Sequence, residues 1–151
     1  MKQRGMTTSG RKKGSNAQAG QAPKDRDQRS VKIFFVTLAS PAHPVLVNPV
    51  AIQVLAGYLR HRFREAVDIR VHSSQTASVA SLARQIRTEA PDILAVSLQF
   101  GSQDLLKDLM ARLGSGARGR DSNPRTLLGN VVATFAAREL LEAYPEALVV
   151  R

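Results

Sequence analysis

From Val31 onward the chain alternates short apolar runs with stretches of helical period. The run VKIFFVTLA (31–39) carries β-branched and aromatic residues at successive positions, as a strand buried on both faces must. A loop punctuated by Pro41, Pro44 and Pro49 follows. Asn48 before Pro49 has the form of a helix cap with proline at the first helical position, where the missing N–H costs nothing. Ile52, Leu55, Leu59 and Phe63 then step along one helix face. VDIRVHS (67–73) alternates as an outer strand does, and Val79, Leu82, Ala83 and Ile86 mark a second amphipathic helix. PDILAVSLQF (91–100) predicts a central strand after a proline stop. Leu105, Leu106, Leu109, Met110 and Leu113 line a third helix, and GSGARGRDSNP (114–124) is polar enough for a surface loop. RTLLG (125–129), FAARELLEAY (135–144) and ALVVR (147–151) complete the series as fourth strand, fourth helix and fifth strand.

Five strands separated by four helices specify an α/β fold with an open parallel sheet covered on both faces. Right-handed crossovers leave few topologies. The simplest is a flavodoxin-like, Rossmann-like doubly wound sheet of order 2-1-3-4-5, whose ligand crevice lies at the carboxyl edge where strands 1 and 3 diverge. Residues 31–151 form this domain. Residues 1–30, in which Met1 and Met6 are the only large apolar side chains, cannot bury enough surface to offset ordering and are expected to form a disordered basic tail.

The chain has 151 residues, 43% of them hydrophobic and 23% charged, the composition of one globular domain of ordinary size. Its net charge of +10 is unevenly placed. The first 30 residues hold eight Lys/Arg against Asp25 and Asp27 and so carry +6, leaving +4 for the rest. Such a tail can attract phosphates nonspecifically, but no aromatic is interleaved for base stacking, and nucleic acid is not the expected partner. No cysteine is present, which excludes a disulfide, a thiolate zinc site and a cysteine-ligated iron–sulfur cluster within this chain. No apolar run approaches the roughly 20 residues that span a bilayer, and no secretory signal pattern opens the chain. A cytoplasmic location with no membrane partner is expected.

In a parallel sheet chemistry sits just past the strand tips. The first strand delivers Thr37, Ser40, Pro41 and His43, the third Ser97, Gln99, Gly101 and Ser102, and the fourth Gly129, Asn130 and Thr134. The set is hydroxyl, amide and glycine. It holds no carboxylate for a divalent cation or a phospho-acceptor, and the chain carries no nucleophile elbow, glycine-rich phosphate loop or paired carboxylates. Such residues suit binding rather than catalysis, because hydroxyls and exposed N–H groups grip polar ligand groups and glycine permits close approach. They also serve simply to end strands and turn the chain.

Two stretches carry a resemblance. PDILAVSLQF is similar to a strand-3 pattern of PD, apolar, G, apolar, S, and LLGNVVATFAARELLEAYPEALVVR is similar to GG-x-x-(A/P)-(T/S)-x-x-x-E-E-L-L running into a strand. With the order of elements over 31–151, they resemble the N-terminal cobalamin-binding (B12-binding) domain of B12-dependent radical SAM enzymes. The resemblance implies a cobalamin-binding module that is not catalytic alone. It also implies a radical SAM catalytic domain or subunit as partner, in cis or in trans. The cofactor-binding candidates are then Thr37, Ser40, Pro41, Ser97, Gln99, Gly101, Ser102, Gly129, Asn130 and Thr134, with no metal ligand. The family's usual Gly-Gly is Gly129-Asn130 here, and its D-x-H-x-x-G motif is absent: Pro41 holds the Asp position before His43, and Leu46 the Gly position. Cobalamin held without a protein histidine is expected, with His61 and His72 as surface residues. The run at 147–151 ends where the family continues toward its catalytic domain, as expected of a truncation, a split gene or a partner chain.

Two other readings stand beside this one: a degenerate docking module that keeps the fold without the cofactor, and a nucleic-acid adaptor acting through the tail. Removing residues 1–30, which no apolar periodicity ties to the core, is expected to leave the melting temperature within a few degrees of the full chain's. A larger drop in a thermal melt would place part of the tail in the fold.

Overall fold

The computed structural model describes residues 29–40, 42, 50–114 and 124–151. Residues 1–28 of the tail, the loop residues Pro41, His43 and Pro44, the Asn48-Pro49 cap and most of the 114–124 loop lie outside the described residues.

Five strands, β1 (Val31–Leu38), β2 (Val67–Ser73), β3 (Ile93–Leu98), β4 (Arg125–Gly129) and β5 (Leu148–Val149), form one sheet of order β2-β1-β3-β4-β5. Every neighbouring pair is parallel. The helices are α1 (Val50–Phe63), α2 (Val79–Glu89), α3 (Gln103–Gly114), α4 (Val131–Phe135) and α5 (Ala137–Ala143), with a 3₁₀ turn at Arg64–Ala66 after α1. The doubly wound α/β arrangement and the strand order expected from the alternation are those observed. The fifth strand is shorter than the apolar run suggests, and the expected fourth helix (135–144) is α5, preceded by the unexpected short α4 and parted from it at Ala136 (φ −109°, ψ 30°).

The two faces of the sheet are filled unequally. On one, Phe34, Val36 and Leu38 of β1, Leu94, Val96 and Leu98 of β3, and Leu128 of β4 pack against Leu82 and Ile86 of α2, Leu106 and Leu109 of α3, Val132 of α4 and Leu140 of α5. On the other, Ile33, Phe35, Ile69 and Ala95 meet Ile52 and Ala56 of α1, the one helix packed there among the described residues. The α2 and α3 faces follow the expected periodicity, but α1 does not: it buries Ile52 and Ala56, while Leu55 and Phe63 are exposed. Small Ala56 lets the helix backbone approach the sheet, which turns Leu55 aside. Arg60 ties α1 down by donating from Nη2 to the Ile69 carbonyl at 2.7 Å.

His72 is not the surface residue expected from sequence. It lies within β2, half-buried, with its ring stacked on Phe34 at a centroid distance of 4.3 Å and an interplanar angle of 4°. Burial, the largest influence, lowers its pKa below the usual imidazole value, against the pull of Glu89.

At the amino edge Asp92 joins three strands. Its carboxylate accepts from the Lys32 N–H at 2.8 Å and from Arg29 at 2.8 Å, its own N–H donates to the Lys32 carbonyl, and its carbonyl accepts from the Arg125 N–H. Asp92→Ala leaves the half-buried Lys32 amide without its acceptor and is expected to lower stability by about 1–3 kcal/mol in urea denaturation. Arg29→Ala breaks only an exposed ion pair and is expected to change stability by less than about 0.5 kcal/mol; equal losses would show that the charge pair, not the amide bond, matters.

Candidate functional site

Strand alternation sends Phe35 and Thr37, Ala95 and Ser97, and Leu127 and Gly129 to the α1 side of the sheet. At the carboxyl end these become small. Thr37, Ser97 and Gly129 are register partners across β1, β3 and β4, so the sheet surface there drops away instead of meeting a helix. The result is a cavity of about 310 Å³ walled on the sheet side by Phe35, Ala95, Ser97, Leu127, Gly129 and Asn130. Ala51, Ile52 and Leu55 of α1 close one flank, and Val150 the other. A Cβ added to Gly129 would meet only the Val150 Cβ, at 4.0 Å. Glycine here holds open space that nothing in the described protein fills.

The polar groups differ in how they are used. Thr37 is only 1% exposed, and its Oγ1 has no hydrogen-bond partner. A buried hydroxyl without a partner is costly, and this one stands beside Ser97 in register. Ser97 Oγ accepts from Asn130 Nδ2 at 2.9 Å, and Asn130 Oδ1 accepts from the Val131 N–H at 2.7 Å. Asn130 has φ 81° and ψ −172°, a region that is essentially glycine's and costs a side-chain-bearing residue on the order of 1–3 kcal/mol.

Of the sequence-predicted residues, the structure brings Ser97, Gly129 and Asn130 together on the cavity wall, with Thr37 beside Ser97. Gln99, Gly101, Ser102 and Thr134 are not on that wall. Ser102 is fully buried and its hydroxyl donates to the Gln99 carbonyl at 2.6 Å, starting α3, while Gly101 takes the left-handed φ of 73° that the turn requires. Thr134 Oγ1 donates to the Asn130 carbonyl at 3.3 Å. Ser40 Oγ accepts from the Ala42 N–H at 3.2 Å, and Pro41 and His43 lie outside the described residues.

Sequence reasoning missed the apolar walls, although the small residues at alternate positions 95, 97 and 129 signal them. It also missed Ser74, which fixes the β1 tip: its Oγ accepts from the Ala39 N–H at 2.9 Å and donates to the Ala39 carbonyl at 3.1 Å.

An apolar trough at the carboxyl edge of a parallel sheet, floored by serine and glycine, suits a flat ligand group with a few polar atoms. A family model described as B12 binding domain matches residues 39–151. The chain belongs to the B12-binding domain family. A curated relative, 4'-phospho-dehydrooxetanocin synthase of Priestia megaterium, is 23% identical over 95 residues, 63% of this chain and 13% of that protein. Two solved structures of the cobalamin-dependent S-adenosylmethionine radical enzyme OxsB share the fold. The one with aqua-cobalamin has a TM-score of 0.67 at 21% identity, and the one that also holds S-adenosylmethionine has 0.68 at 20%. The matches cover 78% and 80% of this chain and 16% of OxsB, so the chain spans a small part of the relatives it matches. No described helix is long and apolar enough to cross a membrane.

The orphaned hydroxyl yields a test that needs no ligand. Thr37→Val keeps the shape and removes a buried unpaired polar atom, so the free protein is expected to be as stable or about 1 kcal/mol more stable in urea denaturation. A loss of similar size would mean that Oγ1 has a partner in the folded protein.

Proposed function

We propose that this chain is a cobalamin-binding module, the N-terminal part or split subunit of a B12-dependent radical SAM enzyme, without catalysis of its own. The observation that carries the reading is the trough over the register partners Ser97 and Gly129, in a member of the B12-binding domain family. The residues fit the group. Cobalamin's nucleotide tail ends in a flat aromatic base, which the walls of Phe35, Ile52, Leu55 and Leu127 can exclude from water. Its ribose and phosphate need hydrogen-bonding groups, and Ser97 and Asn130 supply them on the trough wall, with the buried Thr37 beside Ser97 in register. When bound, cobalamin supplies a redox-active cobalt able to carry an alkyl group.

The chain's own part is to bind and orient. Gly129 admits the close approach, Ser97 donates a hydrogen bond, and Thr37 and Asn130 support them. Cobalt receives no histidine from this chain in this reading: His61 is on α1, and His72 stacks on Phe34 on the opposite face of the sheet from the trough. The partner is a radical SAM catalytic domain or subunit, in cis or in trans, which the relatives' descriptions support, and the reading places the module in the cytoplasm.

The test is retention of hydroxocobalamin by the purified chain after desalting, read from the visible spectrum. The unsubstituted protein is expected to retain it and Gly129→Val to lose it with an unchanged far-ultraviolet circular dichroism spectrum. Ser97→Ala is expected to weaken binding by about 1 kcal/mol, and His43→Ala to leave the cobalt spectrum unaltered. A folded chain that retains no cobalamin would instead be a docking module, and a spectral shift in His43→Ala would overturn histidine-free binding.

A further inference from the structure

We propose that Asn130 is a positioning residue that sets the polarity of the Ser97 hydroxyl, holding it as a hydrogen-bond donor toward the trough. The inference rests on the reading of the trough as the cobalamin site. It adds a role for a residue that stands where the resemblance would place a second glycine.

The orientation of the Asn130 amide follows from its partners. The Val131 backbone N–H can only donate, so the Asn130 atom 2.7 Å away must be the carbonyl oxygen. The atom 2.9 Å from Ser97 Oγ is therefore the NH₂, which also can only donate. Ser97 Oγ must accept in that contact. Its single hydroxyl proton is then not used by Asn130, and among the described residues no acceptor takes it. Ser97 lies on the trough wall, so that proton is available to an acceptor atom of a ligand and the wall is a donor there.

The backbone supports the same role. Asn130 adopts φ 81° and ψ −172°, a conformation that glycine takes without strain. Capping α4 requires only an acceptor for the Val131 N–H, which Asp, Ser or Thr would supply as well. What an acceptor alone does not supply is the second, donating arm, and that arm reaches across from β4 to β3.

The discriminating substitution is Asn130→Asp. It preserves the side-chain shape and the acceptor for Val131 N–H, but presents a second oxygen to Ser97. Ser97 must then donate to the introduced carboxylate and turn lone pairs toward the trough. Hydroxocobalamin affinity is measured by titration of the full chain for the unsubstituted protein, Asn130→Asp, Ser97→Ala and the double variant, with thermal melts of all four without cobalamin. Asn130→Asp is expected to weaken binding about tenfold, and less than about twofold once Ser97 is alanine, because the hydroxyl it acts through is gone. Its melting temperature is expected to stay within a few degrees of the parent's. A role confined to capping α4, or simple repulsion by the new charge, gives the same loss in both backgrounds and overturns the inference. Failure of the unsubstituted chain to retain cobalamin overturns the functional reading together with this one, whereas retention with additive losses overturns this one alone.

Discussion

The structure turns on the alternation of side-chain size along β3. Leu94, Val96 and Leu98 point to one face and are almost fully buried, while Ala95 and Ser97 point to the other. A strand must send successive residues to opposite faces, so a single six-residue sequence makes one face a core and the other a recess. Each fully buried leucine contributes about 1.5–3 kcal/mol, and the α2, α3, α4 and α5 side collects many of them. The α1 side has fewer and forgoes that contribution where Ser97 and Gly129 stand. Stability is concentrated on one face, which leaves the other free to be shaped for a ligand.

The two edges of the sheet divide in the same way. At the amino edge Asp92 satisfies the strand starts with well-placed backbone bonds, and the left-handed Ala90 (φ 45°) before it serves to end α2. At the carboxyl edge the protein holds a glycine-like conformation at Asn130 and a buried hydroxyl without a partner at Thr37. Both features cost stability, and they stand at the ends of β1 and β4, on either side of Ser97 in β3. Strain and unsatisfied polarity persist where the surrounding structure can sustain them and function makes use of them.

Much of this was legible in the sequence, for physical reasons that also explain the rest. Alternating apolar runs and helix-period stretches specify strand order through crossover handedness, and α2 shows its buried face because Val79, Leu82, Ala83 and Ile86 have no rival stripe. Helix α1 does have one: Val54, Leu55 and Tyr58 are as apolar as Ile52 and Ala56, so hydrophobicity alone could not say which side faces the sheet. The break at Ala136 was hidden because neither glycine nor proline marks it. Hydroxyls at strand tips are hard to assign from sequence for a related reason. Ser102 and Thr134 occur at a turn and a helix start, and there a short hydroxyl side chain competes for the nearest backbone carbonyl, a local bond that no spacing rule separates from a ligand contact.

The size of the recess decides how this fold can hold a ligand. A cavity of about 310 Å³ has room for a base with its sugar but not for a corrin macrocycle. The larger part of cobalamin would therefore rest outside the sheet, beyond the strand tips. There the described protein exposes apolar surface: Leu55 and Val150 flank the mouth, and Phe100, 58% exposed, follows β3 in the turn. Such surface favours a broad, partly apolar ligand face on entropic grounds, but supplies no second wall above it. On the proposed reading, tight enclosure of the reactive side would come from protein beyond the residues described, and the division of labour would be physical: this domain would anchor one end of the cofactor, and whatever stands opposite would govern the chemistry at the other.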